Sequence, residues 1–242
     1  MIIGICAKKQ CGKDSMAGFI QKQLPDKKIQ QISFAKPLKD FINEVLNVPK
    51  KNVWGTDADK NYPLCTWGEV FEGPALVAYK KRDRDLLSAR EILQILGTDV
   101  MRYGHIDYVT GPLQKEVVLF LQKKFGAGTT PFLNIWVDLA IMDIKVMKTR
   151  NELDIAVISD VRFHNEVAAV KKSGGKMVRL YRDTKCADSI PHPSELEMED
   201  MRDADFDFVL PEEYNINLKQ LAHFTTKVLM GCGLIETGGL LV

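Results

Sequence analysis

The chain has 242 residues, 45% of them apolar and 27% charged, which is enough for one large α/β domain with a sizeable core and too apolar for disorder. Its 33 basic and 32 acidic side chains leave a formal net charge of +1, which argues against a general nucleic-acid-coating role. There is no membrane-length apolar run, no basic flank at Met1-Ile2-Ile3-Gly4-Ile5 and no CxxC pair among Cys6, Cys11, Cys65, Cys186 and Cys232, so a reduced, cytoplasmic protein without membrane or nucleic-acid partners is expected.

In chain order, Met1–Cys6 is a short β-branched run of the kind buried on both faces of a parallel sheet. A helix is expected over 13–23, with Ala17, Ile20 and Leu24 at helical spacing, then a strand over 29–34 and a helix over 36–46 entered through Pro37. From Val48 to about Leu87 the pattern breaks into turn signals and a charged stretch, Lys80-Lys81-Arg82-Asp83-Arg84; a loop this long reads as a functional lid or flap. Ser88-Ala89-Arg90-Glu91 is a capping box before the apolar Ile92, Ile95 and Leu96. Helices over 108–125 and 134–148 follow, then a buried-type strand over 154–159. A helix marked by Phe163, Val167 and Val170 ends at Ser173-Gly174-Gly175. Strands over 177–181 and 206–210 and a helix over 218–230 complete the chain. Strands separated by helices imply a parallel sheet with helices on both faces, a three-layer α/β/α architecture.

The strongest local signal lies between the first strand and first helix, at Ala7-Lys8-Lys9-Gln10-Cys11-Gly12-Lys13-Asp14-Ser15. Against the phosphate-loop pattern GxxxxGK[ST], Gly12 and Lys13 match; Ala7 replaces the first glycine and Asp14 the hydroxyl residue. The physical logic survives, because a loop at a helix N-terminus offers backbone N–H groups and a dipole to phosphate. Gly12 permits close approach, and Lys13 can bridge the outer phosphates. Either Ser15 supplies the metal-binding hydroxyl or Asp14 holds the metal through its carboxylate. The competing reading is a plain strand-to-helix turn, with Lys13 solvated and Lys8 and Lys9 merely exposed.

The strand ending at Ser159-Asp160-Val161-Arg162 places an acidic residue where a carboxylate would face the phosphate loop. Asp160 either organises magnesium or the acceptor, or caps the following helix; Arg162 could neutralise charge on a transferred group. Arg182, after the next strand, suits a phosphate or a base, whereas Arg179, alternating with Val178 and Leu180, reads as solvent-facing.

Taken in order, several segments resemble the bacteriophage deoxynucleoside monophosphate kinases, a branch of the P-loop nucleoside monophosphate kinases. They are Gly12-Lys13-Asp14-Ser15, Ser33-Phe34-Ala35-Lys36-Pro37-Leu38, Leu93-Gln94-Ile95-Leu96-Gly97-Thr98-Asp99, Trp136-Val137, Asp160-Val161-Arg162 with Asn165-Glu166, Gly174-Gly175, Arg179-Leu180-Tyr181-Arg182 and His192-Pro193-Ser194-Glu195. The resemblance covers most of the chain and implies a single P-loop kinase domain over 1–242, with about 48–150 as a helical, substrate-binding insertion. It further implies that Cys11, Gly12, Lys13, Asp14 and Ser15 bind ATP, with magnesium on Asp14, Ser15 or Asp160. Phe34, Lys36, Arg90, Gly97, Thr98 and Trp136 would serve a deoxynucleoside monophosphate, while Lys13, Asp160, Arg162 and Arg182 carry the transfer. A homodimer is also implied. Against these stand plainer readings: Phe34 and Trp136 as core aromatics, Arg90 as a solvated helix charge, and His192 as part of a helix start at Ser194 and Glu197. The rival functions are a P-loop kinase for another small acceptor and a non-catalytic ATP-binding switch or scaffold.

Overall fold

The computed structural model describes residues 1–8, 11–66, 85–100, 119, 134–181, 193–210 and 217–236. Its strands are β1 (Ile2–Ala7), β2 (Ile29–Ile32), β3 (Pro63–Thr66), β4 (Leu86–Ser88), β5 (Ile155–Val161), β6 (Lys176–Leu180) and β7 (Phe208–Leu210). Its helices are α1 (Lys13–Gln23), α2 (Lys36–Glu44), α3 (Lys50–Trp54), α4 (Asp57–Asn61), α5 (Ala89–Gln94), α6 (Ile135–Thr149), α7 (His164–Lys172), α8 (Pro193–Asp200) and α9 (Leu218–Gly231), with a π-helical turn at Ile95–Val100. They fall into two compact units, one made of Met1–Phe34 with Ala140–Val242 and the other of Ala35–Leu139.

The first unit is built on a five-stranded sheet of order β2-β5-β1-β6-β7, parallel throughout. Every residue of β1 is buried, as its unbroken apolar run requires of a strand covered on both faces. Ile3, Ile5 and Ala7 of β1 join Ile155 and Val157 of β5, Val178 and Leu180 of β6, Met16 and Ile20 of α1, and Leu221 and Val228 of α9 in one core. Helix α7 packs on β1 and β6. This is the expected α/β architecture, a parallel central sheet flanked by helices. The chain leaves β1 toward β2 on one side and leaves β6 toward β7 on the other. Adjacent strands whose connections diverge in this way open a crevice at their C-terminal edge, where open α/β sheets bind ligands.

The second unit packs Leu38, Phe41 and Ile42 of α2 against Val53, Leu87, Ile92, Leu96, Trp136 and Leu139. Ser88 caps α5 as expected: its Oγ accepts the Glu91 N–H, and Glu91 Oε2 accepts the Ser88 N–H at 2.9 Å. The stretch from Val48, read as a long loop, instead contains α3, α4 and the antiparallel β3–β4 pair. Helices of five residues are too short to show a hydrophobic period. Thr56 and Asp59 cap α4 reciprocally, and Asn52 donates to the Asp59 carbonyl at 2.8 Å. Of the helix expected over 108–125, all but residue 119 lies outside the described residues. Among the described residues no helix is long and apolar enough to cross a membrane.

Candidate functional site

Beyond Ala7, where the central strand ends, the chain turns into α1 through Gly12, which sits at φ 90°, ψ 11°. A left-handed backbone costs glycine almost nothing and any other residue about 1–2 kcal/mol. Among the described residues no side-chain cap hydrogen bond forms at the start of α1, the end of a helix whose N–H groups and dipole attract anions.

Lys13 Nζ donates to Asp14 Oδ2 at 2.8 Å. Gln31, on β2, donates through one amide nitrogen to Asp14 Oδ1 at 3.1 Å and to Ser159 Oγ at 2.6 Å. Burial pushes the Asp14 carboxyl up, but hydrogen bonding and charge from Lys13, with hydrogen bonds from Gln31 and Ser159, outweigh it and hold the group below its ordinary value.

Asp160 lies inside β5 rather than after it. Its Oδ1 accepts the Phe34 N–H at 3.0 Å, and its Oδ2 accepts the Ser33 hydroxyl. Phe34 is therefore linked to Asp160 through its backbone, while its ring is buried, 2% exposed. Asp160 does not cap the following helix: Phe163 is the N-cap of α7, and Glu166, 3% exposed, reaches back to the N–H groups of Arg162 at 2.7 Å and Phe163 at 3.2 Å. Burial above all raises the Cys6 thiol to about 11, with Arg179 and Arg162 opposing and Glu166 assisting. At neutral pH Cys6 is thus a thiol, not a nucleophile.

Arg179 does not face solvent. It is 7% exposed, and its guanidinium donates to the carbonyls of Met201 and, at 3.0 Å, of Met198 at the end of α8. It also lies over the rings of Tyr181 and Phe206, at 4.6 and 5.2 Å from their centroids. From the same helix Glu199 pairs with Lys8, which follows β1, at 2.7 Å. Arg182 and His192 lie outside the described residues.

Beside the turn into α1, Cys11, Gly12 and Ser15 form one wall of a cavity of about 570 Å³, and Asn217, Leu218, Lys219 and Leu221 at the start of α9 form the other. Leu218 is 63% exposed, an apolar surface beside the loop. Sequence reading missed this wall, although Asn217 and Gln220 form a capping box that marks the helix start. It also missed Gln31 and Ser159, whose juxtaposition no local pattern announces.

The second unit holds the other expected substrate residues. Trp136, 5% exposed, donates its indole N–H to the Gly97 carbonyl at 3.2 Å and so pins the π-helical turn that carries Gly97 and Thr98. Any Cβ on Gly97 would stand 2.4 Å from Leu38 Cδ2. Arg90 donates to Asn61 and Asp57, both at 2.7 Å, and Lys36 pairs with Asp40 at 2.6 Å. Each cation thus rests on an acidic side chain of its own unit.

No family model matches the chain. Over 229 residues, 95% of this chain and 94% of the relative, it is 25% identical to a protein of Acanthamoeba polyphaga mimivirus named "Putative deoxynucleotide monophosphate kinase". The similarity therefore runs through both units. That relative comes from a virus of amoebae, not from a bacteriophage.

Proposed function

We propose that the chain is a phosphotransferase that moves the γ-phosphoryl group of ATP, with Mg²⁺, to the 5′-phosphate of a deoxynucleoside monophosphate. The observation that carries this reading is the turn at Gly12 and Lys13: a left-handed glycine opening an uncapped helix just after the central strand of a parallel sheet. The adjoining cavity supports it, since Leu218 gives a donor base and sugar an apolar wall. The acceptor is supported by the mimivirus protein's name and by the ordered sequence resemblance.

The donor set fits magnesium. Asp14 and Ser15 are hard oxygen donors at the start of α1, and Mg²⁺ is usually held by one or two carboxylates together with substrate phosphates and water. Asp160, with both oxygens already accepting hydrogen bonds, suits an outer role through water. When bound, the ion supplies charge neutralisation at the β- and γ-phosphate oxygens.

Lys13 leaves Asp14 to bridge those phosphates. An oxygen of the acceptor 5′-phosphate attacks the γ-phosphorus; the new P–O bond forms as the β–γ bridge breaks, and its electron pair leaves on ADP. Arg162 and Arg182 neutralise the transferring group, and Lys36 and Arg90 serve the acceptor phosphate. Phe34, Gly97, Thr98 and Trp136 give the acceptor residues their shape and fixed backbone.

The test is ADP release in a coupled assay with ATP, Mg²⁺ and each common deoxynucleoside and ribonucleoside monophosphate. Turnover that requires a deoxynucleotide and falls by about 10²-fold or more in Lys13→Ala is the expected result. ATP binding without acceptor-dependent turnover would overturn the reading.

A further inference from the structure

One polar side chain outside the groups so far given a role joins three elements of the first unit. Gln31 belongs to β2, yet its carboxamide touches the first turn of α1 at Asp14 and the end of β5 at Ser159. We infer that Gln31 is a positioning residue for Asp14, fixing the direction in which that carboxylate meets a metal-bound nucleotide. The inference rests on the kinase reading above.

An amide nitrogen carries two hydrogens, so Gln31 serves both partners at once. Ser159 is buried and accepts from Gln31 at 2.6 Å. Gln31 thus bridges a buried hydroxyl on β5 and the carboxylate at the start of α1. This matters because Asp14 is exposed, and an exposed aspartate at a helix start otherwise samples several rotamers. Gln31 holds Oδ1, which leaves Oδ2 directed at Lys13. Once Lys13 turns to the phosphates, Oδ2 is left already aimed, with its ordering cost met before the nucleotide arrives. Partners behind a metal ligand act in this way elsewhere, and losing one typically weakens metal affinity by about 10–100-fold.

The test measures ADP binding by calorimetry on the full chain, across a Mg²⁺ titration and in EDTA. In Gln31→Met, which keeps the length and removes the donors, the Mg²⁺ concentration for half-maximal enhancement of binding rises about tenfold. Affinity in EDTA stays within about twofold of wild type. Ser159→Ala shifts the Mg²⁺ dependence in the same direction, and the double variant loses less than the sum of the two, because Ser159 acts on Asp14 through Gln31. Should Gln31→Met fail to fold, Ser159→Ala alone carries the measurement, with the same expected shift. Mg²⁺ dependence unchanged in both variants overturns the role of Gln31 while leaving the kinase reading standing. Equal loss of affinity with and without Mg²⁺ also overturns it, since that marks a purely structural part. A wild-type chain that binds no Mg²⁺-nucleotide removes the kinase reading, and the role of Gln31 with it.

Discussion

The backbone N–H of Phe34 donates to Asp160 Oδ1 at 3.0 Å, and the Ser33 hydroxyl donates to the other oxygen of the same carboxylate. Asp160 therefore holds the exit of β2 against the end of β5 as well as standing in the proposed site. Asp160→Ala leaves both donors unmatched and should destabilise by about 2 kcal/mol in urea unfolding; Ser33→Ala, which removes one donor, should cost about 1 kcal/mol. Only Asp160→Ala should also lower acceptor-dependent turnover by more than the stability loss explains, which the coupled assay measures at a temperature where both variants are folded.

Two glycines near the same loop should respond oppositely to alanine. Gly12 is at φ 90° and a Cβ there would lie 3.0 Å from Leu221 Cδ2, so Gly12→Ala should cost about 1–2 kcal/mol and weaken nucleotide binding. Gly18 lies within α1 with open space where a methyl group would stand, so Gly18→Ala should stabilise by about 0.5–1 kcal/mol and leave binding unchanged. Thermal melts with and without ADP separate the two.

The extents of α1 and α9, the capping box at Ser88 and the parallel character of the sheet were legible in the sequence because each rests on neighbouring residues or on a strong apolar period. Arg179 was misread for a physical reason: alternation along a strand signals solvent only where one face is open, and β6 is buried at Arg179 as at Val178 and Leu180. Asp160 and Gln31 find their partners across the sheet, so no local spacing could announce them. Phe34 and Trp136 matched both a core and a substrate reading in sequence, and burial is what the fold assigns to their rings.

The buried guanidinium of Arg179 makes its replacement costly. Arg179→Met leaves the carbonyls of Met198 and Met201 without their donor, and a loss of about 2–4 kcal/mol is expected. Arg179→Lys should recover only part of it, because a single ammonium cannot reproduce the fork. Chemical unfolding checks both values.

Acid should reveal a second anchor. Lys176 Nζ and the Met177 N–H each donate to Asp207 at 2.9 Å. Burial raises the Asp207 carboxyl, but these donors and the Lys176 charge prevail, leaving it below its ordinary value. A carboxylate lowered in the native state contributes stability that is complete above its unfolded pKa of about 3.9 and is lost as pH falls through the lower native value. Asp207→Asn should therefore be less stable than wild type at pH 7, with the gap narrowing below about pH 4. Equal gaps at pH 7 and pH 3 in urea unfolding would exclude this.

The strand order also carries a consequence for biosynthesis. β1 is made first yet lies between β5 and β6, and Ser33 waits for a partner 127 positions later in the chain. At ribosomal speeds of about 5–20 residues per second, that interval is on the order of 6–25 s. Throughout it the turn at Gly12 has no neighbouring strands to support it, and an apolar strand stands exposed to chaperones. The central strand thus gains its two neighbours only late in translation, once β5 and β6 have emerged.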